Sequence, residues 1–149
     1  MSILDHFLAN LPEKPYVSSN LGRVSIRPIK KAIDYEYIQP NHPFNIRFIV
    51  FDIDKGLTSF FAWEDAAGIQ PPNVVVQNNK NGHCHYIYFL KIPIWVKGSG
   101  RSAPERYYHA VKDAMTGGLG ADWRYTGLLC KNPLHTHWRT TPPLFGELD

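Results

Sequence analysis

The stretch RFIVFDIDKG, residues 47–56, decides how we interpret the fold, because it places two carboxylates one residue apart at the end of a strongly apolar run. Side chains alternate across a β-strand, so Asp52 and Asp54 would share one face with Val50. Two like charges this close raise each other's pKa unless a cation lies between them, and Mg²⁺ and Mn²⁺ prefer such oxygen ligands. The stretch therefore predicts either a divalent metal site or a strand end that turns into solvent.

The segments on either side of this strand predict a mixed α+β domain. They are read, in chain order, as the strand RFIVFDID, a short helical stretch around SFFAWEDAAG, the strand NVVVQ, the turn NNKNG, the strand HCHYIYFL and the helix APERYYHAVKDAM. Gly-Ser-Gly at 98–100 separates the last strand from that helix, and TGGLGADW ends the helix and leads toward a closing strand. This order is that of a split βαββαβ sheet.

The N-terminal part adds a helix and further strands to this unit. SILDHFLANL predicts an amphipathic helix behind a Ser2 cap, RVSIRPI and YEYIQ alternate as strands do, and the prolines of PNHPFN interrupt the chain. No repeat, low-complexity tract or linker divides the sequence. We therefore expect residues 1–149 to form a single domain, with TTPPLFGELD as an exit segment.

Composition narrows the function classes without selecting one. A net charge of +3 is a mild basic excess that is compatible with nucleic acid or phosphates as partners. Cys84 and Cys130 are too few for a disulfide framework, and the sequence opens without a secretory leader, so we expect a cytoplasmic protein. No apolar run approaches the roughly 20 residues that a membrane-spanning helix requires.

A pair of histidines lies at the head of the strand HCHYIYFL. By strand alternation, His83 and His85 share one face. The first and third strands of a split βαββαβ sheet are central neighbours, which would place the two imidazoles beside Asp52 and Asp54 on the open face of the sheet. Imidazole can ligate a metal, donate to phosphate oxygens or transfer protons. The alternative is two surface histidines on a hairpin.

The segment GADWRYTGLLCKNPLHTHW, residues 120–138, supplies a third acid and a cation. Enzymes that transfer phosphoryl groups with two metal ions use carboxylates to hold ions about 4 Å apart and a cationic side chain to neutralise the triphosphate. Asp122 and Lys131 fit these roles, with Asn132 beside the lysine. The alternatives are a helix cap and a solvated lysine. The cysteine and histidines of CKNPLHTHW lack the paired spacing of structural zinc sites.

These residues together resemble the archaeo-eukaryotic primase superfamily, and within it the plasmid replicases of theta-replicating, colicin-type plasmids. The superfamily pattern is an Asp-x-Asp on a strand, a histidine at the head of a later strand and an aspartate after an apolar residue. Asp52 and Asp54, His85 and Asp122 are similar to these three motifs. The runs YIQPNHPFN, NGHCHYIYFL and GLLCKNPLHTHW look like the plasmid replicase branch.

The resemblance implies a fold and a function. The fold would be an RRM-like palm, the archaeo-eukaryotic primase fold. The activity would be nucleotidyl transfer with Mg²⁺ or Mn²⁺, making a short primer from nucleoside triphosphates on a DNA template at a plasmid origin for a host DNA polymerase. The chain would be the catalytic part of a longer replication initiator.

The resemblance also implies roles for individual residues. The metal ligands would be Asp52, Asp54 and Asp122. The nucleotide contacts would be His85, His83, Lys131 and Asn132. His83 stands where the superfamily has a small residue, and of the two imidazoles we favour His85 as the phosphate contact.

Two other function classes stay open from the sequence. His83-Cys84-His85 also fits the His-apolar-His motif of HUH-type nicking endonucleases, the rolling-circle initiators and relaxases, with Tyr108 as nucleophile and Lys112 one turn later. If the tyrosines only pack, a helix face of Tyr107, Ala110, Val111 and Ala114 would be buried. A non-catalytic module for single-stranded nucleic acid would stack bases on Tyr86 and Tyr88, although alternation puts these on the face opposite the histidines, where we expect them to pack under helices.

Overall fold

A computed structural model describes residues 2–97 and 102–141, and over these residues it contains two four-stranded sheets. The helices are α1 (Ile3–Ala9), α2 (Ile29–Ala32), α3 (Ala103–Leu119) and a 3₁₀ helix (Gly56–Phe61). The strands are β1 (Tyr16–Ser18), β2 (Ser25–Ile26), β3 (Tyr37–Ile38), β4 (Asn45–Ile53), β5 (Val74–Gln77), β6 (Cys84–Trp95), β7 (Cys130–Lys131) and β8 (Arg139–Thr141). The α+β class predicted from the sequence is confirmed.

The larger sheet positions the histidines beside the acidic strand. Its order is β4-β6-β5-β8, and every neighbouring pair is antiparallel. The strands predicted first and third in the central unit, β4 and β6, are therefore neighbours, and Asp52 lies directly opposite His85 in their register. The connection from β4 to β5 runs through the 3₁₀ helix, and β6 lies between these two strands in the sheet.

Within the part of the chain that the structure describes, no strand after α3 pairs with the free edge of β4. α3 ends at Gly120, which adopts the left-handed conformation (φ 64°), and the chain then makes one backbone hydrogen bond to the edge of β4, from Asp122 N–H to the Asp52 carbonyl at 2.8 Å. The next residues turn away, and the last strand, β8, joins the opposite edge of the sheet beside β5. A strand after α3 therefore closes the larger sheet beside β5, whereas beside β4 a single hydrogen bond takes the place of a ladder.

Both faces of the larger sheet are covered. The smaller sheet, of order β2-β1-β3-β7, lies with α1 over the face that includes Val50 and Ile87. The 3₁₀ helix and α3 cover the other face, where Phe51 and Tyr86 are buried. The expectation that the face bearing His85 is open is therefore wrong, because the smaller sheet and α1 cover that face. Apolar residues alternate along β4 and β6 on this face as well, so most of it is used for packing.

The ends of the helices follow from their capping residues. Ser2 Oγ accepts from the Asp5 N–H and the Asp5 carboxylate accepts from the Ser2 N–H, both at 3.1 Å, so the predicted Ser2 cap is confirmed as a reciprocal capping box. α3 begins after Ser102, whose hydroxyl accepts from the Glu105 N–H. None of the described helices combines the length and the apolar character that crossing a membrane requires. The predicted Gly-Ser-Gly separator and the tail after residue 141 lie outside the described residues.

Candidate metal and nucleotide site

Three carboxylates from two distant segments meet at one end of the larger sheet. Asp52 is the penultimate residue of β4, Asp54 follows that strand, and Asp122 is held beside it by the backbone hydrogen bond to β4. One carboxylate oxygen of each residue lies within 4.8 Å of the others. This distance suits a divalent cation shared by the three groups. The structure thus brings together all three acids predicted from the sequence.

Asp52 is the most perturbed acid of this cluster. Its pKa is raised from 3.8 to about 6, first by burial and then by the negative charge of Asp54, while the positive charge of Lys131 acts in the opposite direction. The protein therefore holds a carboxylate that is poorly solvated and faces another negative charge. A cation bound between the acids would relieve both costs, as expected of a preformed metal site.

His85 is buried next to Asp52, with only 4% of its surface exposed. Its Nδ1 atom accepts a hydrogen bond from the Lys131 backbone N–H at 2.9 Å, so in the neutral ring the proton is on Nε2. Nε2 lies 3.6 Å from Asp52 Oδ1. Burial lowers the pKa of His85 well below 6.5, so the imidazole is neutral at pH 7 and presents an N–H donor on the side of the acids.

His83 faces the second acid of the pair. Its Nδ1 atom lies 3.2 Å from Asp54 Oδ1, and the two side chains are 35% and 47% exposed. Each predicted imidazole is therefore paired with one predicted carboxylate, the buried ring with Asp52 and the accessible ring with Asp54. Solvent reaches the His83 and Asp54 pair, whereas His85 is enclosed.

Lys131 is buried on the same side of the sheet. Burial lowers the pKa of its ammonium group, and the charges of Asp52 and Asp54 oppose this change. The Nζ atom lies 5.3 Å from the centre of the Trp138 ring, which supplies a cation–π contact. A cation is thus held close to the acids in a poorly hydrated environment, where its charge acts strongly on a bound anion.

Asn132 belongs to the scaffold behind this lysine. It is fully buried, its amide group donates to the carbonyls of Ile33 and Tyr35 at 3.1 and 2.9 Å, and its Oδ1 atom accepts from the Leu134 N–H at 3.0 Å. Its hydrogen-bonding groups are occupied within the fold. We therefore assign Asn132 no nucleotide contact, and its sequence-based role is replaced by one in shaping the loop after β7.

A cavity of about 390 Å³ is lined by Asp52, Asp54, both histidines and Lys131. Its polar walls are Asp52, Asp54, Asn78, Asn81, His83, His85, Tyr37, Tyr125, Thr126 and Lys131. The cavity combines acids that can hold a cation, the neutral imidazole of His85 with its N–H donor, a second imidazole and an ammonium group. That combination is suited to binding a polyphosphate together with a divalent ion.

Sequence reasoning missed several residues that line this cavity, among them Tyr125, which packs against His85. Its ring centre lies 5.0 Å from that of His85, and its hydroxyl donates to the Leu129 carbonyl at 2.6 Å. The ring encloses His85 on the side of the cavity. The only available signal was that Tyr125 lies three residues after Asp122, in the same segment.

The tyrosines considered for other functions lie on the opposite face of the sheet. Tyr108 is buried in the cluster that contains Phe51 and Tyr86, whereas Tyr107 is 72% exposed. The alternative of a buried helix face that includes Tyr107 is therefore wrong, since Tyr108 takes the inward position. Tyr86 donates to the Ser59 carbonyl and Tyr88 to the Gln70 carbonyl, which confirms that these two tyrosines pack under the helical side.

Comparison with known protein families identifies the domain. The model of a family described as the Replicase family matches residues 10–143. The chain belongs to the Replicase family. No curated protein and no solved structure matches it. The matched range of this Replicase family member includes the three acids, both histidines and Lys131, so the site lies within a replicase-type domain, and the protein is a replication protein.

Proposed function

We propose that this Replicase family member is a primase of the archaeo-eukaryotic superfamily. It would join nucleoside triphosphates into a short primer on a DNA template at a plasmid origin, and a host DNA polymerase would extend that primer. The observation that supports this most directly is the convergence of Asp52, Asp54 and Asp122 within 4.8 Å. The superfamily resemblance had selected the same three residues.

In this proposal the three aspartates would hold Mg²⁺ or Mn²⁺. A bound ion would lower the pKa of the initiating or 3′ hydroxyl and offset the charge of the triphosphate. The residues fit such an ion, because all the ligands would be carboxylate oxygens. The pKa of the Asp52 carboxyl is raised, and a bound cation would lower it again. Asp52 and Asp122 are additionally fixed relative to one another by their backbone hydrogen bond.

The remaining polar groups of the cavity would bind the triphosphate. The Lys131 ammonium group offsets its negative charge, and the Nε2–H of His85 is a donor on the side of Asp52. His83 lines the same cavity, and the contact of its Nδ1 atom with Asp54 orients its ring. Burial of His85 and Lys131 limits water near the reacting phosphate, which strengthens these charged interactions.

The order of elements supports an RRM-like palm for this domain. β4, the 3₁₀ helix, β5, β6 and α3 follow the order of a split βαββα unit, with β6 between β4 and β5 and with both helical elements on one face. The site lies at the end of β4, an edge strand, and of its neighbour β6, on the face opposite these helical elements. The adjacency of these two strands supports the primase interpretation, although this face is covered rather than open as the sequence had suggested.

The alternatives are less well supported by the geometry. A nickase would need Tyr108 to reach DNA beside the histidines, but Tyr108 points from α3 into the apolar cluster on the other face of the sheet. Burial also raises the pKa of Tyr108, which makes its phenolate harder to form. A binding module with Tyr86 and Tyr88 as its platform would need those rings exposed, and both hydroxyls are used in packing contacts.

The test compares product formation by three proteins. Template DNA, Mn²⁺ and labelled ribonucleotides are incubated with the native protein, Asp52→Asn and Tyr108→Phe. A primase yields labelled oligomers with the native protein and Tyr108→Phe, and none with Asp52→Asn. Mn²⁺ binding, followed by electron paramagnetic resonance without nucleotide, should be lost in Asp52→Asn. A covalent protein–DNA adduct that disappears with Tyr108→Phe would instead establish a nickase.

A further inference from the structure

A second cavity lies on the other side of the acidic cluster. It has a volume of about 560 Å³ and lies between α3 and the segment that follows it, along the edge of β4. Its polar and aromatic walls are His109, Lys112, Asp113, Asp122, Trp123 and Tyr125. Tyr125 also lines the first cavity, so the two cavities are separated by this ring and by the acidic cluster.

We propose that this second cavity binds the single-stranded DNA template, with one of its bases stacked on Trp123. The inference rests on the proposed function and adds to it the location of the strand. A primase must hold two ligands beside its metal ions, the incoming triphosphate and the template strand, whose bases pair with that triphosphate and with the nucleotide whose hydroxyl attacks it, so the two ligands need separate places at the acids. Lys131 and His85 assign the triphosphate to the first cavity. The strand is therefore assigned to the second.

Trp123 has the properties of a stacking platform. It is 79% exposed, although it directly follows Asp122, one of the three clustered acids. A large aromatic side chain exposed at this position contributes little to the core and offers a face to a base, and such stacking is worth about 1–3 kcal/mol per base. The guanidinium of Arg124 lies 5.4 Å from the centre of the Trp123 ring, which orients the ring and adds a positive charge next to it.

The charges around the platform fit a phosphate backbone once the acidic cluster holds a cation. Lys112 lines the cavity, and Arg124 stands beside Trp123 with its Nε atom 3.9 Å from Asp122 Oδ1, so this guanidinium becomes available to a phosphate when a cation takes its place at Asp122. Asp122 would be offset by the ion, which leaves Asp113 as the opposing charge in the wall. A strand that enters over Trp123 would place its phosphates near the two cations and its base on the aromatic ring.

The platform can be tested by DNA binding alone, without primer synthesis. Anisotropy of a fluorescein-labelled single-stranded oligonucleotide is measured with Mg²⁺ and without nucleotide for the native protein, Trp123→Ala, Trp123→Phe and Trp95→Ala. Trp95 is a matched control, because it is 68% exposed and does not line either cavity. We expect Trp123→Ala to weaken binding by about 5- to 100-fold, Trp123→Phe by less than about threefold, and Trp95→Ala not at all.

An abasic oligonucleotide of the same length separates stacking from charge. The native protein should bind the abasic oligonucleotide as weakly as Trp123→Ala binds normal DNA, and Trp123→Ala should bind the abasic and the normal oligonucleotide with similar affinity.

Equal DNA affinities for Trp123→Ala and Trp95→Ala would overturn the proposal. So would a Trp123→Ala protein that binds DNA normally but binds ATP weakly, since the ring would then serve the nucleotide. Primer synthesis by the native protein distinguishes failure of this inference from failure of the primase assignment: Trp123-dependent DNA binding without primer synthesis contradicts only the assignment, and primer synthesis without Trp123-dependent binding contradicts only the inference.

Discussion

The Nδ1 atom of His85 accepts a hydrogen bond from the backbone N–H of Lys131, which lies 46 residues later in the chain. This bond fixes the proton of the neutral ring on Nε2 and directs it toward Asp52. It also joins β6 of the larger sheet to β7 of the smaller one. One imidazole therefore has a structural nitrogen and a nitrogen that faces the acids.

The two nitrogens of His85 can be separated by substitution. In His85→Asn the side-chain oxygen can replace Nδ1 as acceptor, whereas in His85→Gln the longer amide can replace Nε2. We expect His85→Asn to keep most of its stability and lose activity by about 10²-fold or more, because the donor beside Asp52 is missing. His85→Gln should lose about 1–3 kcal/mol of stability, because the buried Lys131 N–H has no acceptor. Urea unfolding and primer synthesis are the measurements, and equal stability losses in the two variants would contradict the assignment.

The raised pKa of Asp52 predicts how metal-free protein responds to pH. The folded carboxyl has a pKa of about 6, against 3.8 for an ordinary aspartate, so the folded state binds the proton more tightly than the unfolded state. The contribution of this group to stability is therefore fully present below pH 3.8 and is lost as pH rises through about 6. At pH 7.5, in chelator, we expect Asp52→Asn to be more stable than the native protein by about 1–2 kcal/mol.

The same substitution gives the control for metal binding. At pH 7.5, Mg²⁺ should stabilise the native protein by relieving the charge on Asp52 and Asp54, and it should stabilise Asp52→Asn much less. At pH 5 the difference in stability between the two metal-free proteins should shrink, because Asp52 is then mostly protonated. Denaturant melts at the two pH values check both statements. An Asp52→Asn protein less stable than the native one at pH 7.5 would mean that the carboxylate is already compensated.

Removing the positive charge of Lys131 should change both nucleotide affinity and pH dependence. Lys131 lowers the pKa of Asp52, so in Lys131→Met that pKa rises and Mn²⁺ binding is lost at a higher pH than in the native protein. The loss of a charge-assisted contact should weaken triphosphate binding by about 10- to 100-fold. Lys131→Arg, which retains the charge, is the matched comparison. Titrations with Mn²⁺ and with a nucleotide measure the two effects separately, and an unchanged pH midpoint in Lys131→Met would show that the two charges are not coupled.

The sequence was sufficient to predict which strands become neighbours around the site. Strand alternation placed Asp52 and His85 on one face, and the order of the central unit placed their strands side by side, because both depend on local periodicity and short connections. The contribution of Asp122 was predicted from its residue type and from the family resemblance, and not from strand periodicity. Its position depends on a hydrogen bond to β4 from a segment without regular structure, which no periodicity encodes.

The enclosure of the site could not be predicted in the same way. The apolar alternation of Val50 and Ile87 shows only that a face is buried, and it does not identify the smaller sheet as the cover. That sheet is built from strands of two or three residues, whose sequence signal is weak. The burial of Asn132 and the position of Tyr125 both depend on the smaller sheet that covers this face. Sequence reasoning therefore assigned Asn132 a nucleotide contact that it does not make, and it missed Tyr125.

The last prediction concerns Gly82, which precedes His83 and holds the hairpin against the turn after β4. Gly82 adopts a φ of +79°, and a Cβ atom there would lie 2.6 Å from the Gly56 carbonyl oxygen, an atom of the backbone. Gly68 has a similar φ of +77° with open space around it, so Gly68→Ala measures the conformational strain alone, about 1 kcal/mol. We expect Gly82→Ala to lose about 3 kcal/mol or more of unfolding free energy, because the conformational strain and the backbone clash add.

The Gly82→Ala substitution should also weaken Mn²⁺ binding, since the displaced turn moves Asp54 away from His83, whereas the Gly68→Ala protein should bind Mn²⁺ normally. Equal losses of stability in the two variants would mean that the turn yields without cost and that Gly82 does not position the acidic pair.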